Sequence, residues 1–176
     1  MPTNQIQLIC DCIRNVPDFP KPGIQFKDIT PVLSNPAAFD ASIEALAAPY
    51  KNSNIDLVVG IEARGFIFGT PVARLLGVGF VPIRKPGKLP WKTHSTSYEL
   101  EYGSDALEIH ADAVAKGQRV LVVDDLLATG GTARAACDLL EEMGADIVEI
   151  TVLIELESLE GRDKLAPFKT RSVLTF

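Results

Sequence analysis

Apolar positions along this chain follow two rhythms that alternate. Residues 5–14 (QIQLICDCIR) and 36–48 repeat them at helical spacing, the second run behind Asn35, a residue type whose side chain caps helix starts. Residues 56–61 (DLVVGI), 80–84, 119–123 (RVLVV) and 147–154 are short, β-branched and almost wholly apolar, as strands buried on both faces are. Between them, 65–76 and 133–143 return to the helical period, the latter stopping at Gly144. The last apolar stretch, 171–176, is expected to pair at a sheet edge or with a neighbouring chain. Alternation of this kind predicts an α/β fold, a doubly wound, mainly parallel, Rossmann-like sheet with right-handed crossovers. Ligands of such sheets bind beyond the carboxyl ends of the strands. Three segments fall there: 62–65, 84–88 and 124–132.

Two regions break the rhythm. Residues 19–28 are rich in Pro and Gly and read as extended. Residues 85–105 carry Pro86, Gly87, Pro90 and Gly103 around a strand-like 98–102, and 107–112 alternates as well. A hairpin turning around Gly103, Ser104 and Asp105 is expected. A polar connection this long inside one compact domain reads as a lid or as disorder.

Composition narrows the class. The 176 residues form one domain's length, with 47% hydrophobic and 23% charged residues. Lys+Arg 17 against Asp+Glu 23 gives a net charge of −6, which disfavours nucleic acid or an anionic membrane as main partner. The N-terminus does not read as a signal peptide and no apolar run is long enough to span a bilayer, so cytoplasmic residence is the expectation. Cys10, Cys12 and Cys137 have no zinc spacing and read as small buried or half-buried thiols. His94 and His110 are isolated and are left out of the chemistry.

The richest chemistry lies in 120–133, VLVVDDLLATGGTA. A buried strand ends at the adjacent carboxylates Asp124 and Asp125. A short loop then passes through Thr129, Gly130, Gly131 and Thr132 into a helix. Glycine lets backbone approach a ligand closely, free N–H groups at a helix start favour an anion, and threonine hydroxyls add donors. The loop is built to hold a phosphate. Two carboxylates beside a phosphate repel it unless they touch something neutral or cationic, such as a sugar diol or Mg²⁺. The pair therefore points to a phosphorylated sugar, and the Walker lysine pattern is absent. The competing reading is an ordinary helix capped by Thr129 or Thr132.

This string resembles the phosphoribosyl pyrophosphate signature of type I phosphoribosyltransferases, and its LLATGGT form resembles the adenine-using branch. Further segments match in order: FPKPGIQFKDITPVL (19–33), EARGF (62–66), RKPGKLP (84–90), YELEYG (98–103) and GRDKLAP (161–167). Together they cover the chain from about residue 17 to its end. The resemblance implies one phosphoribosyltransferase domain over 1–176, with an N-terminal hood and base-binding segment at 1–34 and a flexible lid at 85–105. It implies Mg²⁺-dependent transfer of phosphoribose from phosphoribosyl pyrophosphate to adenine, giving AMP and pyrophosphate in purine salvage, by a homodimer in which the 65–72 helix is a candidate contact. Small-molecule substrates are its partners.

The resemblance also distributes roles. Asp124 and Asp125 match the ribose-binding pair, and Ala128, Thr129, Gly130, Gly131 and Thr132 the 5′-phosphate loop. Arg64, Lys88 and Arg84 fall where pyrophosphate is met. A cation at a helix start is electrostatically awkward without a bound anion, which favours a functional Arg64. The family often has a non-prolyl cis peptide in this loop, here Glu62–Ala63. Phe26 matches an aromatic that stacks on adenine with Leu126 opposite, and Gln25 and Lys27 match positions whose main chain reads the base. Lys27 stands where arginine is common. Relatives using hypoxanthine or guanine carry an acidic residue at the position of Ala128, so another carboxylate must handle the base's proton. The motif assigns that to Glu101; spacing alone does not separate it from Glu99. Mg²⁺ is expected to be held mainly through the substrate, with no protein cage. The other readings are a phosphoribosyltransferase for another purine and a non-catalytic sensor of phosphoribosyl pyrophosphate.

Overall fold

The computed structural model describes residues 3–100 and 103–176. The chain divides into two compact units, Met1–Ala45 and Leu46–Phe176. The first holds α1 (Thr3–Asp11), an antiparallel pair β1 (Arg14–Pro17) and β2 (Gln25–Asp28), the short α2 (Thr30–Ser34) and most of α3 (Pro36–Ala47). Asn35 caps α3 as expected, its Oδ1 accepting the N–H groups of Ala37 at 3.1 Å and Ala38 at 3.2 Å. The helix expected over 5–14 ends at Asp11, and Arg14, the last residue of that expectation, opens β1 instead. Arg14 there pairs with Asp28 across the ribbon at 2.5 Å, and cross-strand pairing outweighs one more turn of a short helix.

The larger unit is a five-stranded sheet in the order β4 (Gly79–Ile83), β3 (Leu57–Ile61), β7 (Arg119–Leu127), β8 (Asp146–Glu155), β9 (Thr170–Thr175), every pair parallel. Crossovers run through α4 (Gly65–Leu76), α5 (Gly131–Glu142) and α6 (Gly161–Leu165). Every residue of β3 is buried, which is why it reads as a continuous apolar run. Leu57, Val59 and Ile61 share a core with Ala136, Cys137 and Leu140 of α5. Gly60, on the opposite pleat, lies against Gly69 of α4 and the Phe80 ring. Helices therefore cover both faces, and the sheet is doubly wound. Strand β9 pairs with β8 at the sheet edge, the first of the two outcomes expected for the C-terminal stretch.

Residues Thr93–Leu100 (β5) and Gly103–His110 (β6) form the expected hairpin, packed on α5. Its register differs from the expectation: Gly103 pairs with Leu100, and Asp105 with Tyr98, so 103–105 lie in the returning strand rather than at the turn. Cross-strand pairing of the alternating segment overrides the turn propensity of Gly, Ser and Asp there. Cys137 is buried, with its thiol pushed up to about 12 by burial, while Cys10 and Cys12 are half-buried.

One ion pair fixes the β8–α6–β9 corner. Glu155, 4% exposed, accepts from Arg162 Nε and Nη2, both at 2.6 Å, and the same guanidinium donates to Thr170 O at 2.6 Å. Hydrogen bonding from Arg162 holds the Glu155 carboxyl below its ordinary value, against burial. A lowered carboxylate contributes stability above its unfolded pKa and loses it as pH falls through the folded one. Arg162→Ala leaves Glu155 buried without this partner. With the arginine partly solvated, the expected cost at pH 7 is about 2–3 kcal/mol by urea unfolding, shrinking at acid pH as Glu155 protonates.

Candidate active site

The larger unit winds outward in two directions: β3 leads through α4 to β4, and β7 leads through α5 to β8. A parallel sheet opens a crevice where such connections diverge. A cavity of about 280 Å³ lies there, lined by Glu62, Ala63 and Arg64 after β3 and by residues 124–133 from β7 onward. Pairing between β3 and β7 stops at Gly60 and Val123, whereas β7 stays paired with β8 as far as Leu127 and Glu155. Asp124 and Asp125 are thus inside β7, not at its end as the apolar run suggested. The strand outruns its neighbour, and its unpaired margin forms the cavity wall.

The turn beyond β7 is held by a close approach of backbone to backbone. Gly130 has φ 79°, left-handed backbone that favours glycine, and precedes α5 with no side-chain cap. A Cβ on it would strike the carbonyl of Gly161, and a Cβ on Gly161 would strike the carbonyl of Ala128. No side chain, Thr129 included, caps the first turn of α5, whose amides open toward the cavity end of the sheet. Thr132 Oγ1 instead donates to Tyr98 Oη at 3.2 Å.

The aspartates hold unlike positions. Asp124 Oδ1 accepts the Asp125 N–H at 2.9 Å and lies where a Cβ on Gly65 would come within 2.9 Å of it, so the start of α4 packs directly on this carboxylate. Asp124 keeps some surface at the cavity, but dense packing around it, and then the charge of Asp125, push its carboxyl well above the usual range. Asp125 is 4% exposed and pairs with Arg64 Nε at 3.0 Å. Burial raises its carboxyl too, with Arg64 opposing. The cation that is awkward at the start of α4 is thus set against a buried carboxylate. Two crowded acids whose carboxyls are both pushed upward thus face one cleft, the kind of arrangement common at functional sites.

The structure gathers Arg64, Asp124, Asp125, Leu126 and the whole loop 128–132 around one cavity. Arg84 lies beside it, bonded to Glu62 at 3.2 and 3.3 Å and to the carbonyl of Lys88 at 3.4 Å. Lys88 does not line the cavity. Gln25, Phe26 and Lys27 belong to β2 in the N-terminal unit, where Phe26 meets Phe19 edge to face at 5.1 Å and Lys27 donates to Asn15 at 2.7 Å. Glu101 lies outside the described residues. The Glu62–Ala63 peptide is cis, as expected.

Two residues earned no role from the sequence. Glu62 lines the cavity and accepts from the Lys85 amide at 2.8 Å as well as from Arg84, tying the segment after β3 to the one after β4. Burial would raise its carboxyl, yet the Lys85 amide and Arg84 bring it below the ordinary value. Gly161 backs the glycine turn. Both stand in matched segments, EARGF and GRDKLAP, which was the available signal.

The phosphoribosyl transferase domain family matches residues 28–173. The adenine phosphoribosyltransferase of Roseiflexus castenholzii is 58% identical over 168 residues, covering 96% of this chain and 98% of its own. That of Thermobifida fusca is 56% identical over 175 residues, covering 99% of each. The crystal structure of adenine phosphoribosyltransferase from Thermoanaerobacter pseudethanolicus superposes with a TM-score of 0.94 at 56% identity, covering 97% of this chain and 99% of the other. The Saccharomyces cerevisiae enzyme, crystallised with an imino-altritol bisphosphate and adenine, gives 0.91 at 41%, covering 97% and 98%. With its strand order, its cavity at the divergence of β3 and β7, and a family match across most of its length, the chain belongs to the phosphoribosyltransferase family.

Proposed function

We infer that this chain transfers phosphoribose from phosphoribosyl pyrophosphate to adenine, forming AMP and pyrophosphate in purine salvage. The observation that carries this reading is one cavity joining two carboxylates, suited to a sugar diol, to an uncapped helix start suited to a phosphate. Residues 128–132 take the 5′-phosphate through backbone N–H groups and threonine hydroxyls. Asp124 and Asp125 accept from the ribose hydroxyls and, as carboxylates, favour the positive charge that grows on the ribose while pyrophosphate departs. Arg64 meets the leaving group from the start of α4, its guanidinium shared with Asp125. Arg84 and Lys88 supply further positive charge next to it.

Base choice rests on the side chain missing at Ala128, which cannot exchange a proton with the base, and on the names of the relatives. Gln25, Phe26 and Lys27, with Leu126, are the proposed adenine contacts, and Glu101 the group that handles the purine proton. Glu101→Gln is expected to lower kcat by roughly 10²-fold with little change in either KM, the usual size of a lost general acid–base group. An unchanged kcat removes Glu101 from the mechanism.

Mg²⁺ fits as a cation carried by the donor. Among the described residues no three His, Cys, Asp or Glu side chains gather into a cage, and pyrophosphate, ribose hydroxyls and water would hold most of it. It would supply neutralisation of the leaving group's charge. A homodimer is part of the same reading, with Ile67 and Leu75 of α4 exposed at 37% and 45% as candidate interface residues. Cytoplasmic residence accords with it, and among the described residues no helix is long and apolar enough to cross a membrane.

The test is product formation from labelled phosphoribosyl pyrophosphate and Mg²⁺ with adenine, hypoxanthine, guanine or no base. AMP from adenine, with the other bases far slower, is the expected result. Rapid hypoxanthine turnover without AMP replaces adenine with another purine, and binding of the donor without any transfer makes the chain a sensor.

A further inference from the structure

The phosphate loop does not end at its own residues. Thr132 lines the cavity, and its Oγ1 donates to Tyr98 Oη at 3.2 Å. Tyr98 belongs to β5 of the hairpin, packs its ring partly on the core, and does not itself line the cavity. Its hydroxyl donates to Asp105 Oδ2 at 3.3 Å and accepts from Lys85 Nζ at 3.5 Å. Lys85 is also ion-paired with Asp105, and its amide is held by Glu62. One phenol therefore joins the hairpin, the segment after β4 and the 5′-phosphate loop.

We propose that Tyr98 is a positioning residue that couples occupancy of the 5′-phosphate loop to the root of the β5–β6 hairpin. The inference rests on the phosphate reading of residues 128–132. A hydroxyl has one proton to give and lone pairs to receive others. In the free protein Thr132 gives its proton to Tyr98, and Tyr98 gives its own to Asp105. A phosphoryl oxygen arriving at Thr132 is the stronger acceptor. Thr132 then turns its proton to the phosphate and its oxygen can accept from Tyr98. Tyr98 swings its proton from Asp105 to Thr132, and Asp105 stays compensated by Lys85. No covalent bond changes and no heavy atom needs to travel. The Tyr98–Thr132 bond persists but reverses: Tyr98→Thr132→phosphate replaces Thr132→Tyr98→Asp105. A chain ending on a phosphate is more strongly polarised than one ending on a carboxylate already paired with Lys85, so the bond between hairpin root and loop is strengthened when the donor is bound.

The test is steady-state kinetics on the full chain with adenine and phosphoribosyl pyrophosphate. Tyr98→Phe keeps the ring and removes only the hydroxyl. It is expected to raise the donor KM about five- to tenfold, the effect of one hydrogen bond, leaving the adenine KM and kcat within about twofold. In a Thr132→Val background the same substitution is expected to add nothing, because its partner is gone. A Tyr98→Phe enzyme with the wild-type donor KM overturns the proposal, as does a penalty that persists undiminished in the Thr132→Val background, the mark of a merely structural role. Either result leaves the phosphate reading intact, since wild-type AMP formation is measured in the same series. A wild-type chain that neither binds nor turns over the donor overturns both.

Discussion

Asp124→Asn is expected to make the protein more heat-stable and nearly inactive. The side chain keeps its shape, and its Oδ1 can still accept the Asp125 amide. What disappears is a carboxylate whose ionisation is opposed by burial and by its neighbour. The sign follows from linkage. A carboxyl raised on folding binds its proton more tightly in the native state, so stability falls as pH climbs from the unfolded pKa through the raised native one. Asparagine removes that decline. Relief of roughly 1 kcal/mol corresponds to a Tm rise of about 2–4 °C for a chain of this length, measured at pH 7 without ligand. The gain should vanish below the ordinary Asp pKa, where both wild-type states are protonated. Turnover moves the other way. Loss of a charged acceptor for the ribose hydroxyls should cost roughly 10²-fold in kcat/KM for the donor. Asp125→Asn should lose activity similarly and gain less stability, because it strips Arg64 of its 3.0 Å partner. If Asp124→Asn lowers the Tm and keeps full activity, the pair is structural.

Gly130→Ala should abolish donor binding by misplacing the loop rather than by removing any group that touches the ligand. An alanine at φ 79° costs on the order of 1–2 kcal/mol by itself. Its Cβ also meets the Gly161 carbonyl, main chain that a side-chain rotation cannot clear. The expected response is about 2–4 kcal/mol of lost stability and a fall of about 10³-fold in kcat/KM, as donors aimed at a phosphate move off by a fraction of an ångström. Calorimetry and donor titration read both. Wild-type donor affinity in this variant would show that the turn does not hold the phosphate.

Much of the larger unit was legible because its physics is local in sequence. The strands of a parallel sheet covered on both faces must be apolar runs, and 56–61, 119–123 and 147–154 could hardly be anything else. The cavity-lining loop 128–132 was legible as part of a site because glycine and threonine after such a strand have few other uses. Longer-range effects were harder to read. Two adjacent aspartates look like the end of a strand, and only the continued pairing with β8 keeps them inside it. The register of β5 and β6 is decided by eight cross-strand pairs along the whole hairpin, from Thr93–His110 to Leu100–Gly103, so the glycine-containing turn signal at 103–105 misled. Strand β1 exists only because β2 lies beside it. Gly161 reaches the glycine turn from a helix some thirty residues beyond the loop it supports, and no spacing rule announces that contact. Glu62 and the Tyr98–Thr132 bond are likewise products of folding.

The most direct measurement is a crystal structure of the protein soaked with phosphoribosyl pyrophosphate and Mg²⁺. The 5′-phosphate is expected against the amides of residues 129–132 at the start of α5, with both ribose hydroxyls on Asp124 and Asp125. A sugar phosphate ordered elsewhere on the chain, with no phosphate at the Gly130 turn and Asp125 still paired with Arg64, would contradict it.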